Sequence, residues 1–150
     1  MNGNYFEDLN VGDAFSSGPV SLTEDDIVSF AKVFDPQPVH ADPNSAEAGK
    51  FGGVIASGSH TLALAFQLHV ASGIFGDGFE VGLGLETVKW PSPVRGGDAL
   101  RAEVIVTEKR DSSSRPLHGI VKSELRAKNQ CGQVVLIMTS VELVKRRPTT

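Results

Sequence analysis

Hydrophobic and polar positions divide the chain into two unlike halves. In the first, up to about Gly78, apolar residues recur at helical spacing between loops. Ile27, Phe30, Ala31 and Phe34 fall at i, i+3, i+4 and i+7 and so share one helical face. Thr23 precedes them as an N-cap, with Asp26 three residues on. Glu24 and Asp25 occupy the first turn, where the helix dipole favours anions. Asp35-Pro36 ends this helix, because proline disfavours helical geometry in the residue before it. A short helical turn is predicted over Ser45 to Lys50. A longer helix is predicted from Ser57 or Ser59 to about Ser72, with Gly73 as its stop. With Leu62, Ala63, Leu64, Ala65, Phe66, Leu68, Val70 and Ala71 it is apolar nearly all round, the pattern of a helix buried on most sides.

From about Phe79 the pattern is that of strands: Val81 to Val94, Ala99 to Arg110, His118 to Lys128 and Gln133 to Lys145. Ala102 to Thr107 and Val134 to Thr139 are rich in β-branched residues. Gly96-Gly97-Asp98 and Asn129-Gln130-Cys131-Gly132 have turn chemistry and are predicted to join antiparallel neighbours. A curved antiparallel sheet needs its apolar face covered, and the helix ending at Ser72 is the long apolar segment available. The predicted fold is α+β, a curved antiparallel sheet wrapped around a long central helix, in one domain over residues 1–150.

Composition narrows the function classes. A length of 150 residues suits a single core, and 16 glycines favour tight turns over a plain bundle. Net charge is -4, and the one basic block, Lys145-Arg146-Arg147, reads as a solubilising tail, so no nucleic-acid partner is expected. Residues 1–20 hold no apolar run flanked by positive charge, and no segment reaches the ~18 apolar residues of a spanning helix. The single Cys131 cannot form an internal disulfide and has no metal partner at ligand spacing. The chain is expected to be cytoplasmic, away from membranes, and without a metal or other cofactor.

Candidate chemistry gathers in Phe34-Asp35-Pro36-Gln37-Pro38-Val39-His40-Ala41-Asp42, followed by Phe51-Gly52-Gly53-Val54-Ile55-Ala56-Ser57-Gly58. Here a carboxylate and an imidazole stand five residues apart on a segment stiffened by two prolines, ahead of a glycine-rich turn that feeds the apolar helix. Held near a helix N-terminus, they have the parts for proton transfer beside a developing oxyanion. Gly58 is the backbone donor expected for that oxyanion, since glycine lets a substrate approach the chain closely. Asp42 is expected to orient the loop through backbone hydrogen bonds. His60 and His69, nine apart on or near the helix, lack a metal-ligand spacing and read as satisfied, partly buried histidines. Gly76-Asp77-Gly78 reads as a hairpin or loop rim, not a phosphate cradle.

The order of this block resembles the MaoC-like dehydratases, also called (R)-specific enoyl-CoA hydratases. Their signature runs Gly-Asp-x-Asn-Pro-x-His-x-Asp, then Phe-Gly, then Ile-Ala-His-Gly at the start of the central helix. Asp35, Pro38, His40, Asp42, Phe51-Gly52, Ile55-Ala56 and Gly58 match it in order, and Leu85 to Val94 with Gly97-Asp98 resembles the later strand and turn. Phe34, Gln37 and Ser57 depart from it, standing for glycine, asparagine and histidine. The resemblance implies a hot dog fold and a hydro-lyase that adds water reversibly to a 2-enoyl-CoA or related thioester, with CoA present only as part of the substrate. It implies that Asp35 and His40 flank the reacting water and that the sites lie at a subunit interface of a homodimer or dimer of dimers. Gln37, Ser57 and Gly58 are then expected at the substrate. Phe66, at a helix position that carries serine in some short-chain members, is expected to reshape the acyl pocket towards a short, branched or carboxylated group. Arg110 and Arg115 could meet CoA phosphates or be solvated surface charges. The alternatives are a hot dog thioesterase, a class without the Asp-x-x-Pro-x-His block, and a non-catalytic acyl-binding partner subunit, against which the intact acid-base pair argues.

Overall fold

A computed structural model describes residues 3–149. Five antiparallel strands form one sheet: β1 (Ala14–Ser21), β2 (Phe79–Lys89), β3 (Ala99–Asp111), β4 (His118–Lys128) and β5 (Val134–Lys145). Their spatial order is β1-β3-β4-β5-β2, so β1 and β2 are the edges. The long helix α4 (Gly58–Ala71) lies on the concave face and packs against β1, β3, β4 and β5. Ala65 and Leu68 of α4 join Val104, Val121, Leu125 and Met138 of the sheet in one core. This is the hot dog arrangement.

Local sequence explains the other helices. Helix α1 (Glu24–Phe34) opens on a capping box: Asp26 N–H donates to Thr23 Oγ1 at 3.1 Å, and Thr23 N–H donates to the Asp26 carboxylate at 2.8 Å. A single turn, α2 (Pro38–Ala41), begins at the second of the two prolines, and α3 (Ala46–Gly49) is capped by Ser45. Helix α4 ends at Ser72 and Gly73, whose φ of 75° lies in the left-handed region that glycine tolerates.

Four sequence-based expectations change. The first half is not purely helical, because β1 lies within it. Its Ser16, Ser17, Gly18 and Pro19 mask the strand signal, and pairing with β3 supplies the stability that propensity lacks. The turn at Gly96-Gly97-Asp98 does not join sheet neighbours. β2 pairs with β5, and α4 fills the concave face, so residues 90–98 pass the N-terminal end of α4 to reach β3. Of the two readings of residues 76–78, hairpin or loop rim, the hairpin falls away: they form a single 3-10 turn, with Gly76 lining a cavity. Finally, α4 is not buried on most sides: Phe66 is 43% and Val70 70% exposed, and the adjacent edge strand β2 is exposed along most of its length.

Candidate active site

Asp35 is the C-cap of α1, with its N–H donating to the Ala31 carbonyl at 2.9 Å. Gln37 then turns back on the Asp35 carbonyl, and Pro38 starts α2 at a position where a missing N–H costs nothing. His40 therefore sits on a helical turn and not on an open loop. Asp42 closes that turn by accepting from the Asn44 N–H at 2.9 Å, the orienting role expected of it.

The His40 ring is aimed by the main chain. Its Nδ1 lies 2.6 Å from the carbonyl oxygen of Ile55. A carbonyl only accepts, so Nδ1 carries the proton and, in the neutral ring, Nε2 presents its lone pair. That Nε2 is 3.6 Å from Asp35 Oδ2, too far for a hydrogen bond between them but close enough for both to hold one small molecule. The two side chains are 12% and 23% exposed, so both are largely shielded, and His40 lines an open cavity.

Asp35 is held as a carboxylate. Its Oδ2 accepts from Ser57 Oγ at 2.5 Å and its Oδ1 from Gln37 Nε2 at 2.7 Å. These bonds, Ser57 first, place its pKa below the ordinary carboxyl value, with a smaller contribution from His40. Because Ser57 gives its proton to Asp35, the 2.8 Å contact with Ser59 Oγ is a donation from Ser59. Ser57 is the N-cap residue of α4, yet its hydroxyl caps nothing, and no acidic residue stands in the first turn. No side chain of the first turn compensates the positive end of this fourteen-residue helix; Gly58 stands at its first position and the Asp35 carboxylate is bonded to its N-cap hydroxyl.

An open cavity of about 370 Å³ begins at His40, Gly58 and Trp90 and continues past Phe51, Ile55 and Pro93. Trp90 was missed as a site residue by motif reasoning. Its Nε1 donates to the Gly58 carbonyl at 3.1 Å, and a Cβ on Gly58 would lie 3.0 Å from its indole ring. Glycine at 58 therefore fits the packing of this indole. Two usable signals were in the sequence: Trp90 is the only tryptophan, and it stands at the strand end that resembles the family pattern. The Ile55 carbonyl and Ser59 were also missed, since neither a backbone acceptor nor a relayed hydroxyl has a motif.

The structure brings Asp35, His40, Gln37, Ser57 and Gly58 together. Gln37 and Ser57 hold the Asp35 carboxylate, and Ser57 is only 1% exposed. Phe66 lies elsewhere, on the exposed face of α4 beside β2, and lines other cavities. Arg110 and Arg115 are exposed at the far end of β3 and in the following turn, outside the cavity at His40. Among the described residues, no group of three or more His, Cys, Asp or Glu side chains could hold a metal ion. No helix among them is long and apolar enough to cross a membrane.

The MaoC like domain family matches residues 9–129, which contain every residue of this site. The chain belongs to the MaoC-like dehydratase family. Over 98% of its length it superimposes on the MaoC-like dehydratase of Rhodospirillum rubrum, covering 100% of that chain, with a TM-score of 0.89 at 42% identity. The R-hydratase PhaJ1 of Pseudomonas aeruginosa aligns with a TM-score of 0.78 at 29% identity, over 95% of this chain and 86% of that one. The 3-hydroxyacyl-thioester dehydratase Z of Mycobacterium tuberculosis is 39% identical over 85 residues, 55% of this chain and 56% of that protein. The MaoC-like core thus spans the site, while this last match reaches about half of its relative's length.

Proposed function

We propose that the protein is an acyl-thioester hydro-lyase that adds water reversibly across the double bond of a 2-enoyl thioester. The observation that carries this reading is the aimed pair: His40 Nε2 with its lone pair outward, 3.6 Å from an Asp35 carboxylate held in its ionised form. Both groups are acceptors, so a water between them can donate a hydrogen bond to each. Its oxygen attacks the β-carbon as one proton leaves to this pair, and a proton passes to the α-carbon, so one water is consumed and nothing else. Charge develops on the thioester oxygen during attack. The free N–H of Gly58 at the uncapped end of α4 is the donor for it, a contact worth about 3 kcal/mol in comparable oxyanion sites. The names of the dehydratase and R-hydratase relatives agree with this chemistry.

We propose also that the working unit is a homodimer joined at the β2 edge. An open eleven-residue edge strand is a template for pairing, and its Phe79, Val81, Leu83 and Leu85 are all large apolar side chains left exposed. Phe66 and Val70 extend the same apolar region onto α4. Incubating the purified protein with a panel of 2-enoyl-CoAs and following loss of the conjugated thioester absorbance tests the activity. Saturable loss with at least one of them is expected. No loss with any acyl length, on CoA or on acyl carrier protein, overturns the reading.

A further inference from the structure

At the β1 end of the sheet, an open cavity of about 700 Å³ is bordered by β1, β3, β4 and the turn between β4 and β5. Leu100, Ala102, Leu125 and Ala127 point into the core, so strand alternation turns Arg101, Glu103, Arg126 and Lys128 to the opposite face, away from α4. This groove shares no lining residue with the cavity at His40.

Arg101 and Lys128 are direct partners in the β3–β4 register, which sets their Cβ atoms about 5 Å apart. Like charges opposed in this way destabilise a sheet. Among the described residues neither side chain makes an ion pair that would relieve them. Arg101 Nη1 donates to the Gly18 carbonyl at 3.3 Å, a neutral acceptor. The next cross-strand pair is Glu103 with Arg126, yet Arg126 Nε donates to Glu124 Oε1 of its own strand at 2.7 Å. The lining therefore carries three cations and one carboxylate, Glu103, in a chain whose net charge is -4.

Both walls are built in advance of any ligand. Gly18 has a φ of 110°, and a Cβ there would lie 2.7 Å from the Leu100 carbonyl oxygen, so glycine lets β1 lie close against β3 beside Arg101. Across the groove, the Gln130 amide is held at both ends: Oε1 accepts from the Ala99 N–H at 3.0 Å, and Nε2 donates to Asp98 Oδ1 at 2.9 Å. Asn129 Oδ1 accepts from the N–H groups of Cys131 and Gln133 at 3.0 Å each. With these amides engaged, the opposed cations are the groups left to meet a ligand.

We propose that this groove binds the phosphate group of a small organic molecule between Arg101 and Lys128. A phosphate monoester carries close to two negative charges at neutral pH, and its oxygens match the planar guanidinium fork, with the ammonium as a second point charge. Its binding converts an opposed like-charge pair into a bridged one. Glu103 stands two residues from Arg101 on the same face and opposes a second anionic group there. The phosphate can belong to a free molecule or to the nucleotide end of a CoA thioester; only the second source rests on the function proposed above.

Glycerol 3-phosphate, titrated into the full chain at low ionic strength and followed by amide NMR, tests the site, with glycerol as the uncharged control. Saturable shifts are expected at Gly18, Arg101 and Lys128, absent with glycerol and weakened by added salt. Arg101→Ala and Lys128→Ala should each weaken binding about tenfold. Lys128→Glu should abolish binding and raise the unfolding midpoint at low salt, because it gives Arg101 an opposite charge across the strands. Asp35→Asn should leave binding unchanged, which separates this groove from hydration. Enoyl thioesters of CoA and of pantetheine identify the source. A KM that rises in Arg101→Ala for the CoA thioester alone assigns the nucleotide end, and unchanged kinetics with glycerol 3-phosphate binding lost assign a free ligand. Shifts that do not saturate, or that spread with equal affinity to residues 145–147, overturn the proposal. So does binding that Arg101→Ala and Lys128→Ala both leave at wild-type strength.

Discussion

At the scale of single residues, the site works through what holds Asp35 and His40 as much as through the pair itself. Ser57 is the largest cause of the lowered Asp35 pKa, so Ser57→Ala should raise it towards the ordinary carboxyl range. The acid limb of kcat/KM against pH is then expected to move to higher pH, whereas an unchanged limb would show that Asp35 does not control it. His69 and Glu142, buried 3.8 Å apart between α4 and the sheet, give a separate pH signature in stability, because burial moves Glu142 up to about 7 and His69 down to about 4. Between about 4.5 and 6.5 the folded pair holds one proton, on Glu142, and the unfolded pair also holds one, on His69. The wild-type pair therefore adds little slope there. Glu142→Gln leaves a histidine that the fold keeps neutral, so stability relative to wild type should rise with pH from about 4 to 6.5. His69→Gln leaves an acid that the fold keeps protonated, so relative stability should fall as pH rises from about 4.5 to 7. Denaturant unfolding at a series of pH values reads both slopes, and parallel curves for all three proteins would contradict the assignment. The Asp35–His40 pair was legible in the sequence because its chemistry lies in side chains of fixed order. The tautomer of His40 was not, because a main-chain carbonyl fifteen residues away sets it.

At the scale of elements, the helix α4 joins the two halves of the account. Its end and the α1 capping box were legible from Gly73, Thr23 and Asp26, since these residues act locally; its start fell at Ser57 as expected, although that hydroxyl bonds Asp35 and caps nothing. The strand β1 and the crossing of residues 90–98 were not, because pairing partners about ninety residues apart decide the first and the bulk of α4 decides the second. The same crossing sets Trp90 on Gly58. Alanine would ordinarily stabilise a helix relative to glycine by up to about 1 kcal/mol, yet here its Cβ would press on the indole at 3.0 Å. Trp90 is half exposed and can give way, so Gly58→Ala should fold, move the indole and reduce turnover. Emission from this sole tryptophan is the direct readout. A variant with the wild-type spectrum and wild-type kcat/KM would show that the contact does not matter.

At the scale of the whole molecule, the apolar periodicity of α4 was read as a helix buried on most sides, and within one chain it is not. The dimer proposed above would account for both the discrepancy and the bare β2 edge, since a second copy would cover them. Sedimentation at micromolar concentration should show a dimer, and Leu83→Lys together with Val81→Lys should shift it to monomer by placing charges on the edge. A wild-type monomer under those conditions would contradict the proposed assembly. The central claim is that Asp35 and His40 carry out the hydration, and the direct test compares enoyl-thioester hydration by wild type, Asp35→Asn and His40→Ala. General acid-base groups typically contribute about 10²–10⁴-fold, so each variant should lose activity on that scale while its circular dichroism and unfolding midpoint stay close to wild type. Hydration at near wild-type rate by either folded variant would contradict the claim.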